Sequence, residues 1–600
     1  MNSQLEKIIK KYNSDKNRLM DILLDTQAEF GYISKEATQS VAKILNMAVV
    51  DVEQTLSFYH FFTQKSRGTN TIYLNNSAVA CMMGSEEVKK AFEEAAGCKF
   101  GENSADGKIG LYNTACIGLN DQEPAAIING KMFTNLTPAV AKQIVTGLKE
   151  GKKVTDLYHK NYGDGKNASA EILSMVNSNI KRRGQVILSD YTAGAALKTK
   201  LSSLQPKDVI DEVKKSNIRG RGGAGFPTGL KWDFCSKSTG PKRYVLCNAD
   251  EGEPGTFKDR VLLTERPEML IEGMAIAAYA IGSDEGIIYL RWEYKYLETF
   301  LEKVLADARK DNRLGQNVGG IKGFNFDIRI QFGSGAYICG EETALIESME
   351  GKRGEPRDKP PFPVDKGYMC LPTIINNVET FCSVVRIIEK GSSWYKNIGT
   401  AESSGTKLLS ISGDCAQPGV YEIEWGMTIA EMLEMVGAKD VQAVQVSGPS
   451  GAVIGPKDFG RKICYSDLGT GGSMIVLNKN RDLLKELVHN FMDFFVEESC
   501  GSCTTCRIIP KLMKDKLEKI LEGKGVMSDI SDLEAWAKFP VVSRCGLGQT
   551  AGNPIASSIK NFRELYEAKV QKGVDYDMGF DMSKAVKNSC AYVGRVPNSH

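Results

Sequence analysis

The chain has 600 residues, 42% hydrophobic and 25% charged, and its 76 Lys and Arg against 74 Asp and Glu give a net charge of +2. This length exceeds what one hydrophobic core supports, so we expect roughly three to five domains. The balanced charge gives no indication of nucleic-acid binding or of binding to an anionic membrane surface.

Export and membrane insertion are not indicated either. Residues 1–11 lack the apolar core of a signal peptide. The longest apolar stretch, 269–282, is too short to span a bilayer and contains Glu272. Without an export signal, the 15 cysteines indicate a reducing compartment, where thiols bind metals or lie buried rather than form disulfides. We therefore predict a cytoplasmic protein without a membrane span.

The first part of the chain predicts helices followed by a small α/β unit. In residues 1–65 apolar residues recur at helical spacing. From 66 to 155 strands alternate with helices, which is typical of an α/β domain. The predicted strands cover 71–74, 109–112 and 125–128, and the predicted helices cover 86–95 and 138–150.

A linker is predicted at 156–195, because the run 151–178 is rich in Gly, Asp, Lys, Asn and Ser. Residues 196–402 form a larger, Gly-rich block with buried-looking strands at 244–247 and 286–290.

Two further regions complete the chain. Residues 403–479 predict a short β–α–β module with strands at 408–411, 443–446 and 474–477 and a helix at 429–436. Residues 480–600 predict a mostly helical region, which opens with an amphipathic helix over 483–495. That helix leads directly into Cys500.

Four cysteines in this last region have the spacing of metal ligands. Cys500, Cys503 and Cys506 stand at two-residue gaps, and Cys545 follows later in Ser-Arg-Cys-Gly-Leu-Gly. Three closely spaced thiolates can hold one corner of a 4Fe–4S cluster, and a remote fourth can complete the ligand set. Zinc is the alternative, but zinc sites are usually built from two separated Cys-x-x-Cys pairs. The spacing favours the cluster and hence electron transfer.

A glycine-rich loop over residues 219–231 is the second candidate site. It contains Gly220-x-Gly222-x-x-Gly225, the form of a dinucleotide-binding fingerprint. That fingerprint follows a strand, whereas 208–218 predicts a helix, so the ordinary Rossmann interpretation is weak here. The loop N–H groups can still approach an anion, with Lys231 behind them. A purely structural turn is the alternative.

Three more polar clusters are weak signals when each is taken alone. The first directly follows a predicted strand, where amides and carboxylates suit hydrogen bonds to a ribityl chain or a ring edge, although a solvated acidic turn would have the same composition. The three clusters contain, in order, Asn248, Asp250, Glu251 and Glu253; Tyr337, Gly340, Glu341 and Glu342; and Asn376, Asn377 and Glu379.

Together with the cysteine triplet, these clusters resemble the flavin-carrying NADH-oxidising subunit of respiratory complex I and its relatives in soluble NAD-linked hydrogenases and formate dehydrogenases. The resemblance covers residues 200–560. It implies a multidomain α/β fold, with N-terminal helices plus a thioredoxin-like domain, a Rossmann-like FMN domain, a ubiquitin-like β-grasp module and a C-terminal helical bundle holding a 4Fe–4S cluster.

The same resemblance implies roles for individual residues. Phe226 and Phe234 would stack on the adenine of NADH, and Lys359 would contact its pyrophosphate. Glu253 and Glu342 would accept hydrogen bonds from NADH and repel the extra phosphate of NADPH. The residues implied to line FMN are Gly220, Gly223, Lys231, Asn248, Asp250, Glu251, Gly340, Glu341, Asn376 and Asn377. Tyr337 would lie near the flavin ring, so Tyr337 and Glu253 are the candidate catalytic residues.

Residues 1–160 resemble the small thioredoxin-like subunit of complex I, and its fusion to the flavin part is similar to the diaphorase alpha subunits of NAD-reducing hydrogenases. In the complex I relatives, Cys-x4-Cys and Cys-x3-Cys pairs hold a 2Fe–2S cluster. Here the pairs are Asn76 with Cys81 and Cys116 with Asn120. Because neutral Asn is a poor iron ligand, we predict no 2Fe–2S cluster in this domain and a structural or docking role. A cluster with an unusual ligand set is the alternative.

These parts predict a diaphorase. Electrons would pass from NADH to FMN, then to the 4Fe–4S cluster, and then to a ferredoxin-like iron–sulfur subunit linked to a hydrogenase. The protein would supply binding, orientation and electrostatics, and the cofactor the hard chemistry. Two alternatives stay open: the same module in a formate dehydrogenase or an electron-bifurcating complex, and a nucleotide-binding scaffold without turnover.

Overall fold

The computed structural model describes residues 2–158, 172, 175–573 and 582–596. Within these residues the strands form three sheets. Much of the polar run 151–178, predicted as part of a linker, lies outside the described residues.

The chain begins with helices and a small mixed sheet. The helices are Asn2–Lys11, Leu19–Phe30, Lys35–Ile44 and Val49–Phe58. The sheet has the order β2-β1-β3-β4, with β1 parallel to β2 and antiparallel to β3. Its strands are β1 (Asn70–Asn75), β2 (Ile109–Thr114), β3 (Ala126–Ile128) and β4 (Lys131–Phe133). Its helices are Ala78–Met82, Ser85–Ala96 and Pro138–Lys149.

A parallel sheet forms the centre of the protein. Its strands are β6 (Tyr244–Ala249), β7 (Glu285–Leu290), β8 (Asp327–Phe332) and β9 (Thr373–Asn377), in the order β8-β7-β6-β9. The main helices of this region are Pro206–Lys215, Thr228–Lys237, Lys258–Glu265, Pro267–Ile281, Glu298–Lys310, Glu342–Met349 and Val378–Lys390.

Both faces of this sheet are covered, as parallel sheets require. Val245 and Cys247 of β6 face the core shared with helices Pro267–Ile281 and Val378–Lys390. Their neighbours Tyr244 and Leu246 face the opposite side, where they share a core with the N-terminal helices. The N-terminal segment is therefore the second covering layer of the central sheet.

The strand order reverses beside β6, because β7 and β8 lie on one side of it and β9 on the other. In open parallel sheets the crevice outside the carboxyl ends of the strands at such a point is where ligands bind. Residues 248–249 end β6, residues 250–253 follow it, and residues 376–377 end β9, so both predicted clusters lie at this crevice.

The third sheet is mixed and has the order β13-β12-β14-β10-β11-β5. Its strands are β5 (Ile180–Arg182), β10 (Thr406–Gly413), β11 (Gly419–Glu424), β12 (Val441–Val446), β13 (Ala452–Ile454) and β14 (Ser473–Asn478). Helix Ile429–Met435 begins at a capping box formed by Thr428 and Glu431. Strand β5 comes from the segment predicted as a linker and pairs in parallel with β11.

The C-terminal region is helical, as predicted, with one difference. The amphipathic segment begins as a π-helix, Leu483–His489, and continues as the α-helix Asn490–Glu498. Its apolar residues form a core with the other helices of the region, Thr504–Leu521, Met527–Trp536 and Asn553–Glu567. Helix Met582–Tyr592 is the last helix in the described residues. No helix in the described residues is both long and apolar enough to cross a bilayer.

Candidate functional site

The glycine-rich loop lies between helices Pro206–Lys215 and Thr228–Lys237, so a helix and not a strand precedes it, as the sequence predicted. The Gly220 N–H donates to the Phe226 carbonyl at 2.9 Å, which closes the loop on itself. Gly223 has φ +118°, a conformation that other L-residues rarely adopt. A Cβ on Gly222 would lie 3.3 Å from Asn377 Cβ. The loop therefore lies directly over the end of β9.

Buried Arg221, which the sequence analysis did not single out, holds this loop in place. Its guanidinium donates to the Tyr395 hydroxyl at 2.7 Å and to the Ser404 carbonyl at 2.6 Å. Its backbone N–H donates to Thr380 Oγ1 at 2.9 Å. Because all these partners are internal, the loop is held rigidly before any ligand arrives.

Asp250 is the most unusual group at the end of β6. Asn248 receives the Asp250 N–H at 3.1 Å on its Oδ1 and donates from Nδ2 to the Gly340 carbonyl at 2.8 Å. Asp250 Oδ2 is buried and has no hydrogen-bond partner, and burial raises the pKa of this carboxyl well above its usual range. A Cβ on Gly340 would lie 3.7 Å from that oxygen. An unpaired buried acceptor beside a glycine is what a ligand carrying an N–H or O–H would satisfy.

Two lysines and two glutamates form an ion-pair cluster at the same crevice. Lys231 Nζ lies 3.2 Å from Glu342 Oε2, and Lys359 Nζ lies 3.0 Å from Glu342 Oε1 and 2.7 Å from Glu341 Oε1. Burial alone would raise the pKa of Glu342, but Lys231 and Lys359 outweigh it and lower the pKa. The cluster brings together four predicted residues from separate parts of the chain.

Two other predicted residues use their side chains inside the protein. Glu251 accepts the N–H groups of Asp259 at 2.7 Å and Arg260 at 3.0 Å, at the start of helix Lys258–Glu265. Asn377 donates to Asp259 at 2.6 Å and accepts from Lys258 at 3.1 Å. Glu251 and Asn377 would therefore contact a ligand through their backbone, or support neighbouring residues that do.

A buried charge network that the sequence analysis missed lies beneath the loop. Glu379 accepts from Lys407 and lies 3.1 Å from Lys258 and 4.0 Å from Arg221. Burial opposes ionisation of Glu379, but the three cations lower its pKa. Burial also lowers the pKa of Lys407 to about 7. Glu379 stands two residues after Asn377 in a cluster the sequence did mark, and that proximity was the available signal.

Asn376 and Trp232 connect β9 to the helix that follows the loop. Trp232 is fully buried and donates from Nε1 to Asn376 Oδ1 at 2.9 Å. Phe226 precedes this helix and Phe234 lies within it, and the two residues are 47% and 49% exposed. Aromatic rings this exposed have a free face for stacking.

Glu253 and Tyr337 lie where three regions of the protein meet. The Tyr337 hydroxyl donates to Glu253 Oε2, and the N–H of Ser450, which lies between β12 and β13, donates to Glu253 Oε1 at 2.9 Å. The Tyr337 N–H donates to Glu498 at 2.9 Å, and its ring packs edge-on against Phe494 at 4.8 Å. Burial raises the pKa of Glu253, which Tyr337 and Ser450 partly offset. The helix carrying Phe494 and Glu498 leads into the cysteine loop.

The four predicted cysteine ligands converge at one core cluster. Cys503 and Cys545 stand at the starts of helices Thr504–Leu521 and Gly546–Thr550, and Cys506 lies in the first turn of the former. Burial, together with the charges of Cys503, Cys545 and Cys500, raises the pKa of Cys506 to about 12. Cys500 is tied to the central region, because Arg353 donates to its carbonyl at 3.1 Å.

The arrangement of these thiols bears on the choice of metal. Tetrahedral zinc would draw its four sulfurs to within about 4 Å of one another. In the described residues, no group of three or more Cys, His, Asp or Glu is arranged to hold a single metal ion. In a 4Fe–4S cluster each cysteine binds a different iron, and the feature that favours a cluster over zinc here is the spacing of Cys500, Cys503 and Cys506 with a remote Cys545.

The two broken Cys–Asn pairs of the thioredoxin-like domain are arranged differently. The Cys116 thiol is buried and donates to Asn120 Oδ1 at 2.9 Å, and burial raises the pKa of Cys116 to about 11. Asn120 Nδ2 donates to Ser77 Oγ at 3.2 Å and Glu123 Oε1 at 3.1 Å. Cys116 and Asn120 therefore use their polar atoms on each other and on neighbouring protein groups.

Three family models match separate parts of the chain. The Nuo51 FMN-binding domain family matches residues 213–386, the thioredoxin-like [2Fe-2S] ferredoxin family residues 5–149, and the NADH-ubiquinone oxidoreductase-F iron-sulfur binding region residues 486–569. The NAD-reducing hydrogenase HoxS subunit alpha of Cupriavidus necator is 48% identical over 572 residues, 95% of each chain. The chain belongs to the family of NAD-reducing hydrogenase alpha subunits.

Other members of the wider group match over less of the chain. NADP-reducing hydrogenase subunit HndC of Solidesulfovibrio fructosivorans is 43% identical, over 64% of this chain and 80% of its own length. The matching component of the NADH-quinone oxidoreductase of Escherichia coli is 40% identical, over 62% of this chain and 86% of its own.

A solved structure matches almost the whole alpha-subunit fold. It is a chain of a NAD+-reducing [NiFe]-hydrogenase in the H2-reduced state, 35% identical, with a TM-score of 0.86 over 97% of this chain and 98% of that one. The predicted multidomain α/β fold is therefore confirmed.

Proposed function

We propose that the chain is the NADH-oxidising diaphorase subunit of a soluble NAD-linked hydrogenase and passes electrons from NADH through FMN and a 4Fe–4S cluster to a partner. The observation that carries the proposal is the convergence at one sheet edge of an unpaired buried Asp250, a lysine–glutamate cluster and the Tyr337–Glu498 contact that leads to the cysteine loop. FMN accepts hydride from NADH and releases single electrons, and an iron–sulfur cluster carries single electrons onward.

The residues at the crevice fit FMN. The glycine loop presents backbone close to the ends of β6 and β9, and Lys231 adds a positive charge that suits a phosphate or a polar ring edge. Asp250 and Asn248 provide acceptors and donors beside Gly340. These residues hold and orient the flavin, together with Gly220, Gly223, Asn376 and the backbone near Glu251, Glu341 and Asn377.

NADH would enter over the exposed side of the same crevice. Phe226 and Phe234 have free faces for the adenine, and Lys359, paired with Glu341 and Glu342, provides a positive charge for the pyrophosphate. Glu253 and Glu342 accept hydrogen bonds from NADH hydroxyls and repel an added phosphate. Tyr337 orients Glu253 through its hydroxyl.

We assign the 4Fe–4S cluster to Cys500, Cys503, Cys506 and Cys545. We also propose that the thioredoxin-like domain holds no 2Fe–2S cluster, because Cys116 and Asn120 use their polar atoms on each other and on the protein. All fifteen cysteines are free of disulfides, which suits the reducing cytoplasm that we propose as the compartment.

An exposed apolar surface beside the cysteines supports electron delivery to an iron–sulfur subunit. We call it the apolar patch; it comprises Ile508, Leu512, Phe539, Val541 and Val542. Val541 and Val542 are 66% and 74% exposed, and the patch continues directly into Cys506 and Cys545 along the chain. Exposed Arg507, Lys538 and Arg544 neighbour its residues in the sequence. A partner that docks here would have an apolar face with an acidic rim and its own cluster close by.

The alternatives differ in measurable ways. A formate dehydrogenase or electron-bifurcating complex would use the same module, and co-purification identifies the partner. A scaffold without turnover would bind nucleotide but leave the flavin oxidised. Anaerobic titration of the purified, FMN-loaded chain with NADH tests the proposal. We expect bleaching of flavin absorbance; an FMN-loaded chain that NADH does not bleach would overturn the diaphorase function.

A further inference from the structure

Asn120, one of the two asparagines that break the 2Fe–2S ligand pattern, also contacts the segment that follows β6. Asn120 is 3% exposed, and its Oδ1 accepts the N–H of Gly255 at 3.0 Å as well as the Cys116 thiol. With Ser77 and Glu123 on Nδ2, all four hydrogen-bonding positions of the amide are used. Because Nδ2 faces two acceptors and Oδ1 faces two donors, the amide has one orientation.

Gly255 belongs to a tight turn that carries Glu253. The Thr256 N–H donates to the Glu253 carbonyl at 3.0 Å, Pro254 is the second residue, and Gly255 has φ +90°. These are the features of a type II β-turn. The Gly255 N–H takes no part in closing the turn, and a Cβ on Gly255 would lie 3.0 Å from Ile475 Cδ1. Asn120 thus satisfies the outward N–H of a buried turn.

The turn sets the position of the Glu253 carboxylate. Glu253 is its first residue, and its two carboxylate oxygens meet Tyr337 and Ser450. The neighbouring segment of the thioredoxin-like domain is tied down as well, because Arg291 donates to the Cys116 carbonyl at 2.7 Å and to the Glu251 carbonyl. Contacts from the first domain therefore reach the nucleotide-facing end of β6.

We propose that Asn120 is a positioning residue for Glu253. Asn120 stands where the 2Fe–2S ligand pattern has a cysteine, and it holds the Glu253–Thr256 turn so that the Glu253 carboxylate contacts NADH. The inference rests on the proposed function, since it takes Glu253 as the residue that contacts NADH. An asparagine here performs a task that a cluster-binding thiolate could not, because a thiolate lacks the donors for Ser77 and Glu123.

The test is a steady-state analysis of NADH-driven dye reduction by the full chain. In Asn120→Ala, loss of the hydrogen bond to Gly255 should raise KM for NADH about five- to tenfold, the factor that one hydrogen bond of ordinary strength is worth. Asn120→Ser is too short to reach Gly255 and carries the same expectation, should the alanine variant not fold. Asn120→Asp keeps an acceptor for Gly255, and because burial raises the pKa of Glu123, the Glu123 carboxyl can supply the proton that the lost Nδ2 donor provided; KM should return to within about twofold.

Asn76→Ala is the matched control, because Asn76 replaces the other cluster ligand and its hydrogen bonds with Thr114 and Asn490 are made by its backbone. It should leave KM unchanged. A double-mutant cycle then separates positioning from mere stability. In a Glu253→Gln background, Asn120→Ala should change KM by less than about twofold.

Two results would overturn the inference: an unchanged KM in Asn120→Ala and Asn120→Ser, or an equal rise in KM with and without Glu253. Failure of the proposed function is distinguishable from failure of this inference, because NADH would then not bleach the FMN of the unaltered chain.

Discussion

Replacement of Lys231 by methionine separates binding of FMN from folding. Lys231 Nζ lies 3.2 Å from Glu342 Oε2 and donates to the Ile375 carbonyl at 3.1 Å. Methionine keeps most of the apolar stem and removes the charge. Glu342 does not become an unpaired buried charge, because Lys359 stays 3.0 Å from its other oxygen.

The expected magnitudes differ between the two properties. A charge-assisted hydrogen bond to a ligand contributes about 1.5–3 kcal/mol, so loss of Lys231 should weaken FMN binding about 10- to 100-fold. The side chains of the pair are 19% and 26% exposed, and loss of such a pair with its second partner retained should cost about 1 kcal/mol of unfolding free energy.

The assay is quenching of FMN fluorescence on titration into the flavin-free chain, with thermal unfolding of the same samples. Lys214→Met is the matched control. Lys214 lies 2.9 Å from Asp233, and Asp233 also keeps a second lysine, Lys237 at 2.8 Å, so the pair has the same architecture without either residue being assigned to FMN. A Kd for FMN within about twofold of the unaltered chain in Lys231→Met would refute the assignment of Lys231 to the flavin site.

Three further predictions concern the nucleotide, the cluster and the partner. Glu253→Gln should raise kcat/KM with NADPH, and an unchanged preference for NADH over NADPH in this variant would contradict the role of Glu253. In the unaltered chain the preference for NADH should fall as pH drops through the raised pKa of Glu253, since protonation removes the charge that repels the added phosphate. Cys503→Ser should lower the iron content and stop electron transfer from the chain through the partner to a dye, while NADH still bleaches FMN. Cys98→Ser, distant from the cysteine loop, should behave like the unaltered chain. Full iron content in Cys503→Ser would show that Cys503 is not a cluster ligand. Val541→Asp should weaken co-purification of the iron–sulfur partner at least about tenfold without changing the bleaching of FMN by NADH. Val50→Asp, on an N-terminal helix, should leave co-purification of the partner unchanged. Equal binding of the partner by both variants would place the docking surface elsewhere.

Much of the local structure followed from short-range patterns in the sequence. The helix before the glycine loop, the strand before Asn248 and the helix leading into Cys500 all form as predicted, because apolar periodicity records which face of an element will be buried. The π-helical start of the last of these was not predictable, since both helix types bury a similar set of apolar residues.

Site residues were harder to predict where their partners are distant in sequence. The sequence marked Glu251 and Asn377, but the structure engages their side chains with Asp259 and Lys258 inside the protein. Nothing in the sequence indicated that Arg221 anchors the glycine-rich loop, because its hydrogen-bond partners Tyr395 and Ser404 are more than a hundred residues away in the chain.

The sequence by itself determined the chemistry available to this protein: the number and spacing of thiols, the glycine loop, and two asparagines where a second cluster would need cysteines. Only the tertiary structure decided which groups share a site. Ends of parallel strands far apart in the chain meet at one sheet edge, and a loop of the first domain reaches the Glu253 turn. The physical reason is that hydrophobic periodicity encodes local burial, whereas contacts between polar groups depend on how whole domains pack.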